Sequence, residues 1–271
     1  MIRLLNSRWV LWAAIGCAAA FPLLAHVVGL PYLVRVGGVV GLFMILGLGL
    51  NFTLGYVGLF DLGFIAFYAI GAYTTAIAMR AHAPAPLAIL LAVVVSLAAR
   101  ALLGVSILRL RGDYLAVVTM GFGEIARLVI NNLDSLTNGP KGMQIRPWRP
   151  LAFLSADPNT QYYLLILAGV ALAVVASRRI EDSRVGRAWV AIREDEIAAR
   201  LSGIPVREYK LLAFTLSAAF AGLAGALFAL WEQFVTPESF VFWESILVVS
   251  IVVLGGMGSI AGVLLGALIL A

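Results

Sequence analysis

Long runs of apolar residues recur along this chain and restrict its fold more than any other feature. A helix needs about 20 mostly apolar residues to cross the roughly 30 Å hydrocarbon core of a membrane. Of the 271 residues, 62% are hydrophobic and 12% are charged, whereas soluble domains carry about 25% charged residues. Hydrocarbon solvates such a composition, provided that backbone polar groups are satisfied within helices or closed barrels. The length of the runs favours helices over barrel strands.

We therefore predict an all-α, polytopic integral membrane bundle that forms one domain over residues 1–271. Its membrane segments, about eight, are the apolar runs 9–30, 33–54, 62–79, 87–108, 114–130, 162–176, 211–230 and 245–271. The first run is interpreted as a retained span, because no cleavage site followed by a soluble region comes after it. The run 114–130 is short and contains charged residues, which indicates a re-entrant or partly broken segment.

The distribution of Lys and Arg predicts the orientation of the bundle. The largest polar region, 177–210, contains eight Lys or Arg residues. Because such residues are enriched in cytoplasmic loops, this region and the amino terminus are predicted to be cytoplasmic. Alternation of the spans then places the loops 131–161 and 231–244 outside. The loop 131–161 is rich in Gly, Pro and Asn and shows no helical period.

Several classes of function are disfavoured by the sequence. The net charge of +5 does not indicate nucleic-acid binding, because the basic residues lie between apolar runs and form no basic face with interleaved aromatics. The single Cys17 supports neither a disulfide framework nor a metal site. The acids and His residues form no convergent set typical of an enzyme, and the chain contains no Gly-x-x-x-x-Gly-Lys-Ser/Thr loop for ATP. A solute transporter is favoured, and a non-transporting membrane scaffold is the alternative from another class.

The polar region 177–210 contains a short segment with the pattern of an exposed helix. Acids including Glu196 open it, where they stabilise a helix amino terminus. Ala198 and Ala199 are small enough for another protein to approach closely, and Gly203 ends the helix. One hypothesis is a helix that docks another protein. The other is an ordinary solvated connector between two spans.

Charged residues also lie within the apolar runs or next to them. Glu124 and Arg127 are three residues apart and therefore share one helix face, which favours a structural ion pair over a role in a translocation path. Ionisable residues at membrane depth usually face a bundle interior or a wet cavity, so the second role stays open. Asp61 is predicted in a solvated cytoplasmic turn or helix cap, and Arg100 is predicted to extend towards the inner membrane surface.

The last apolar run is interrupted by small residues after about ten positions. They are Gly255, Gly256, Gly258 and Ser259. One hypothesis is that two half-helices meet there at membrane depth, where unwound backbone is tolerated only if it is buried or lines a cavity. The amino end of the second half-helix would then suit a substrate carboxylate, which makes these residues candidates for the translocation path. The alternative is a flexible helix that packs closely through small residues.

Four blocks together resemble the permease subunits of branched-chain amino acid ATP-binding-cassette (ABC) importers, specifically the M-type subunit. The blocks are 109–116, 121–127, 209–214 and 221–226, and the similarity extends from about residue 40 to the carboxyl terminus. Residues 198–203 also resemble the loop by which such permeases dock into an ATPase. Ile197 stands where that loop has Glu, and Glu196 lies one place earlier.

The resemblance implies a multi-pass protein of the bacterial inner membrane that encloses half of a translocation path. The implied partners are a second related permease, two cytoplasmic ATPases that bind ATP and Mg²⁺, and an extracytoplasmic solute-binding protein; no cofactor is implied in this chain. The residues 196–203 would link the bundle to the ATPase. Branched-chain amino acids are the implied substrates, with urea or short-chain amides as the alternative. Such permeases usually continue past the position of Ala271, which implies a further terminal helix.

Overall fold

The computed structural model describes residues 16, 18, 20–22, 24–25, 30–107, 113–151 and 157–271. The amino terminus, the predicted first span and the first four residues of the block 109–116 lie wholly or largely outside these residues.

Helices make up most of the described structure, and the sheet is limited to two short strands, which confirms the all-α prediction. In chain order they are α1 (Tyr32–Leu50), α2 (Ile65–Arg80), α3 (Ala85–Ile107), α4 (Asp113–Asn132), α5 (Asp134–Thr137), α6 (Pro158–Glu181), α7 (Arg184–Glu194), α8 (Glu196–Leu201), α9 (Val206–Glu232), α10 (Phe242–Gly255) and α11 (Ile260–Leu270). A π-helical stretch, Asn51–Val57, continues α1, and short 3-10 turns cover Gly139–Lys141 and Pro237–Phe240.

Six segments of the described residues are long and apolar enough to cross a membrane. They are Tyr32–Val57, Ala85–Ser106, Tyr114–Asn132, Pro158–Glu181, Val206–Glu232 and Pro237–Gly255. The chain is therefore a polytopic helical membrane protein. The predicted span 62–79 is represented by α2, which has only 16 residues.

The helix α4 is continuous over 20 residues, so the prediction of a re-entrant or broken segment at 114–130 is wrong. Its two internal charges do not break the helix because Glu124 and Arg127 pair with each other along one face. The α4 segment is nevertheless peripheral, since only 11% of its span is buried inside the chain.

A two-stranded ribbon joins the two loops that are predicted to lie outside. Strand β1 (Met143–Gln144) pairs with β2 (Phe234–Val235) in antiparallel register. The two loops therefore lie at one end of the bundle, which we call the ribbon end. The opposite end, which carries α7 and α8, is called the polar-loop end. The central helix α9 runs between the two ends and packs against α1, α2 and α3.

The last two helices form an antiparallel hairpin, so the single interrupted span predicted for 245–271 is wrong. A Cβ atom added to Gly266 would lie 2.5 Å from the carbonyl oxygen of Ile251, and one added to Gly262 would overlap the carbonyl of Gly255. These pairings require the chain to reverse between α10 and α11. Positive φ angles of 108° at Gly256 and 84° at Gly258 produce the reversal.

Candidate functional site

The chain is unwound between the π-helical stretch and α2, over residues 58–64. Its backbone groups find partners on neighbouring helices. The N–H of Leu62 donates to Thr119 Oγ1 on α4 at 3.1 Å, and Ser245 Oγ on α10 donates to the Leu62 carbonyl at 2.6 Å. Unwound backbone is tolerated inside a membrane protein where protein supplies such partners.

This unwound segment rises from the polar-loop end into the middle of the bundle. At its start, a Cβ on Gly58 would contact Arg193 of α7 at 3.1 Å. At its other end, Leu62 contacts Ser245, which lies ten residues, or about 15 Å, along α10 from Gly255. The helix α2 therefore begins inside the bundle, which explains why it is too short to cross the membrane by itself.

A buried ion pair lies within the unwound segment. Asp61 accepts a hydrogen bond from Arg100 Nη2 of α3, and both side chains are almost fully buried. The Arg100 guanidinium carbon also lies 4.4 Å from the ring centre of Phe67 and 4.3 Å from that of Phe214, within the range of cation–π attraction. Asp61 is thus neither in a solvated turn nor the cap of α2, whose cap residue is Phe64, and Arg100 does not extend towards the membrane surface. Both predictions are wrong because each side chain has its opposite charge on a neighbouring segment.

A second charged pair lies on α4 and faces away from the core of the chain. Arg127 Nε donates to Glu124 Oε1 at 3.1 Å, and the two side chains are 28% and 47% exposed. Glu124 lies about 16 Å from the start of α4, near the middle of the helix. The favoured ion-pair geometry is therefore present. The rest of the described chain covers the pair only in part.

Glu124 also forms part of the wall of a small cavity between α4, the start of α2 and the chain before α10. The cavity has a volume of about 120 Å³ and is lined by Leu62, Ile65, Met120, Gly123, Glu124, Phe240 and Phe242. Apart from Glu124, every lining side chain is apolar. This cavity and the Glu124–Arg127 pair are the candidate intramembrane site.

The turn of the α10–α11 hairpin lies elsewhere, beside the polar loop. The N–H of Gly258 donates to Asn51 Oδ1 at 2.9 Å. Arg193 Nη1 donates to the Gly55 carbonyl at 2.6 Å and would lie 3.4 Å from a Cβ on Gly258. Gly255, Gly256, Gly258 and Ser259 are therefore not brought together with Glu124 and Arg127.

The amino end of α11 already has an internal partner. Ser259 Oγ accepts from the N–H of Gly262 at 3.1 Å. This cap satisfies one of the N–H groups that the sequence suggested for a substrate carboxylate. The turn itself lies beside the polar loop and is not part of the cavity at Glu124.

The short helix predicted in the polar region is present as α8. Asp195 caps it by accepting from the N–H groups of Ile197 at 2.8 Å and Ala198 at 3.0 Å. Gly203 follows the helix with a φ of 82°, which a side chain would strain. Gly203 and Ala198 are exposed, whereas Ala199 is buried against the protein.

Glu196 does not point freely into solvent, because it pairs with Arg200 at 3.0 Å and with Lys210 at 2.6 Å. The most exposed apolar side chains of α8 are Ile197, 72% exposed, and Leu201, 85% exposed. The sequence reasoning missed these two. Their i, i+4 spacing within a polar segment was the signal that could have identified them.

Membrane-length helices that pack around an unwound segment define a polytopic helical membrane protein. The chain belongs to the family described as "Branched-chain amino acid transport system / permease component", whose model matches residues 32–271.

Two curated relatives are high-affinity branched-chain amino acid transport system permease proteins LivM. The Escherichia coli K12 protein is 45% identical over 258 residues, which cover 84% of this chain and 60% of the relative. The Salmonella typhimurium LT2 protein is 44% identical over 278 residues, which cover 92% of this chain and 65% of the relative. The chain thus spans less than two thirds of the length of these relatives.

More distant relatives carry related names. The permease protein BraD of Pseudomonas aeruginosa, also of a high-affinity branched-chain amino acid transport system, is 27% identical over 84% of this chain and 79% of its own length. The E. coli K12 permease protein LivH of such a system is 36% identical over 40% of this chain and 34% of its own length. No solved structure gave a significant match to the chain.

Proposed function

We propose that this chain is the permease subunit of an ABC importer that moves branched-chain amino acids across the bacterial inner membrane. The names of the similar proteins supply the substrate class and favour it over urea or short-chain amides. ATP and Mg²⁺ would bind to partner ATPases. A second permease and an extracytoplasmic binding protein would complete the complex.

The observation that carries the proposal is the partly exposed Glu124–Arg127 pair on α4, in which Glu124 lies near the middle of the helix. A charged residue facing lipid at the bilayer centre costs about 2.5–3.5 kcal/mol on insertion scales. The α4 face with this pair is therefore expected to meet either water or protein. A half-pore that is completed by a second permease provides both.

The polar-loop end supplies the proposed contact with an ATPase. Ala198 and Gly203 would allow the ATPase to approach the backbone closely. Ile197 and Leu201 would be apolar anchors on either side. Ala199 and Glu196 would hold α8 in place from beneath. Arg193 lies at the end of α7, three residues before α8, and donates to the Gly55 carbonyl beside Gly258. A movement of α8 would therefore reach the turn at residues 255–259 through α7.

Replacement of Leu201 with Glu is expected to reduce copurification with the ATPase at least about tenfold. The change removes a large exposed anchor and places a charge in an apolar contact, and each 1.4 kcal/mol lost corresponds to a factor of ten in affinity. The measurement is the amount of ATPase retained by the tagged chain after coexpression of the whole transporter in its native operon context.

The matched control for this experiment is Phe234→Glu, which adds the same charge to a half-exposed apolar position at the ribbon end. We expect it to retain the ATPase at the wild-type level. Equal retention by the Leu201→Glu and wild-type chains would contradict α8 as the docking helix. A wild-type chain that never copurifies with an ATPase would favour the scaffold instead.

A further inference from the structure

We infer that the Glu124–Arg127 pair and its adjoining cavity form a binding site for a zwitterionic amino acid with an aliphatic side chain. This inference rests on the proposed function and adds to it the place on this chain where the substrate is held. The Glu124 carboxylate would accept the substrate's α-ammonium group. The Arg127 guanidinium would bind its α-carboxylate.

The charges of the pair match those of an amino acid backbone. A zwitterion presents one cation and one anion a few ångströms apart, and Glu124 and Arg127 present the opposite charges on one face, one helical turn apart. Arginine binds carboxylates through a planar fork of N–H donors. Without substrate, the two side chains neutralise each other. The substrate's ammonium group would replace Arg127 as the partner of Glu124, and its carboxylate would replace Glu124 as the partner of Arg127.

The cavity matches the aliphatic side chain of such a substrate. Its volume of about 120 Å³ is somewhat smaller than the apolar cavity of about 150 Å³ that is known to hold benzene. A branched side chain of three or four carbons is of that size. Met120, Phe240 and Phe242 supply apolar walls, and no charged group other than Glu124 lines the space.

The position of Glu124 fixes the orientation of the bound molecule. Glu124 lies in the cavity wall, whereas Arg127 is one turn nearer the ribbon end of α4 and is not part of the wall. A substrate whose side chain enters the cavity would therefore have its ammonium group at Glu124 and its carboxylate towards the ribbon end. The unwound segment contributes Leu62 to the same cavity, so its movement would change the shape of the site.

The main test uses uptake of radiolabelled L-leucine by the complete transporter in proteoliposomes, with binding protein outside and ATP inside. Glu124→Gln and Arg127→Gln are each expected to lower the uptake rate at least about tenfold, because each removes a charged hydrogen bond to the substrate. The exchange Glu124→Arg with Arg127→Glu keeps an ion pair on α4 but reverses its direction. We expect this exchange to leave uptake as low as in the single variants.

Restoration of wild-type uptake by the exchange would overturn the site, because it would show that only an ion pair is needed. Uptake at the wild-type rate in Glu124→Gln would overturn it as well. Stimulation of ATP hydrolysis by leucine-loaded binding protein serves as the control for assembly, and we expect it to persist in the variants. If the wild-type complex takes up no leucine, the proposed function itself fails.

A labelling experiment tests the site without relying on transport by these variants. Met120→Cys is introduced together with Cys17→Ser, which removes the single natural cysteine. We expect L-leucine to slow modification of this cysteine by a water-soluble methanethiosulfonate reagent at least about threefold, because a bound side chain would cover it. Val129→Cys, on the other flank of α4 and also exposed, is the control. Equal rates with and without leucine at Met120→Cys would overturn the site.

Discussion

Arg100→Met is expected to destabilise the fold by about 3–5 kcal/mol, the loss typical of breaking a buried ion pair from one side. The variant leaves the Asp61 carboxylate fully buried without its partner. It also removes the cation between the rings of Phe67 and Phe214. Because Asp61 belongs to the unwound segment before α2, the expected consequence is loss of order in that segment first.

The measurement is the unfolding transition of the purified chain in mild detergent, induced by heat or by denaturant. Arg35→Met is the matched control, since Arg35 pairs with Glu232 at the ribbon end with a side chain that is 55% exposed. An exposed pair contributes less than about 1 kcal/mol. We expect Asp61→Asn combined with Arg100→Met to be more stable than Arg100→Met alone. Equal losses for Arg100→Met and Arg35→Met would contradict the buried pair.

Gly262→Val is expected to destabilise the chain by about 1–3 kcal/mol and to separate α10 from α11. Any side chain at this position overlaps the carbonyl of Gly255 across the hairpin. Backbone cannot rotate away as a flexible side chain does, so the two helices must move apart. The displaced turn would then lose the hydrogen bond between Gly258 and Asn51.

Thermal unfolding of the purified chain also measures this effect, with Gly121→Val as the control. Gly121 lies on α4, and an added Cβ there would have no atom within 4 Å beyond its own stretch of helix, so the same substitution adds no overlap with a neighbouring element. We expect the control to unfold within about 0.5 kcal/mol of the wild-type chain. A Gly262→Val chain that is as stable as the Gly121→Val chain would show that α10 and α11 do not pack in direct contact at Gly262 and Gly255.

Local sequence signals anticipated several elements that depend on neighbouring residues only. The short helix α8 follows from acids at its start and Gly203 at its end. The pairing of Glu124 with Arg127 follows from a spacing of three on one helix. The break before Ser259 follows from the glycines at positions 255, 256 and 258. In each case the interacting groups lie within a few positions of one another.

The sequence alone determined that this chain is a helical membrane protein, because transfer of an apolar segment into hydrocarbon depends on that segment's own composition. Only the tertiary structure decided that α11 folds back on α10 and that Asp61 lies against Arg100. It also decided that Glu124 borders a cavity which α2 helps to line. These arrangements depend on contacts between residues far apart in the chain. Hydropathy measures how favourably a segment enters hydrocarbon, and it carries no information about which neighbour the segment meets there.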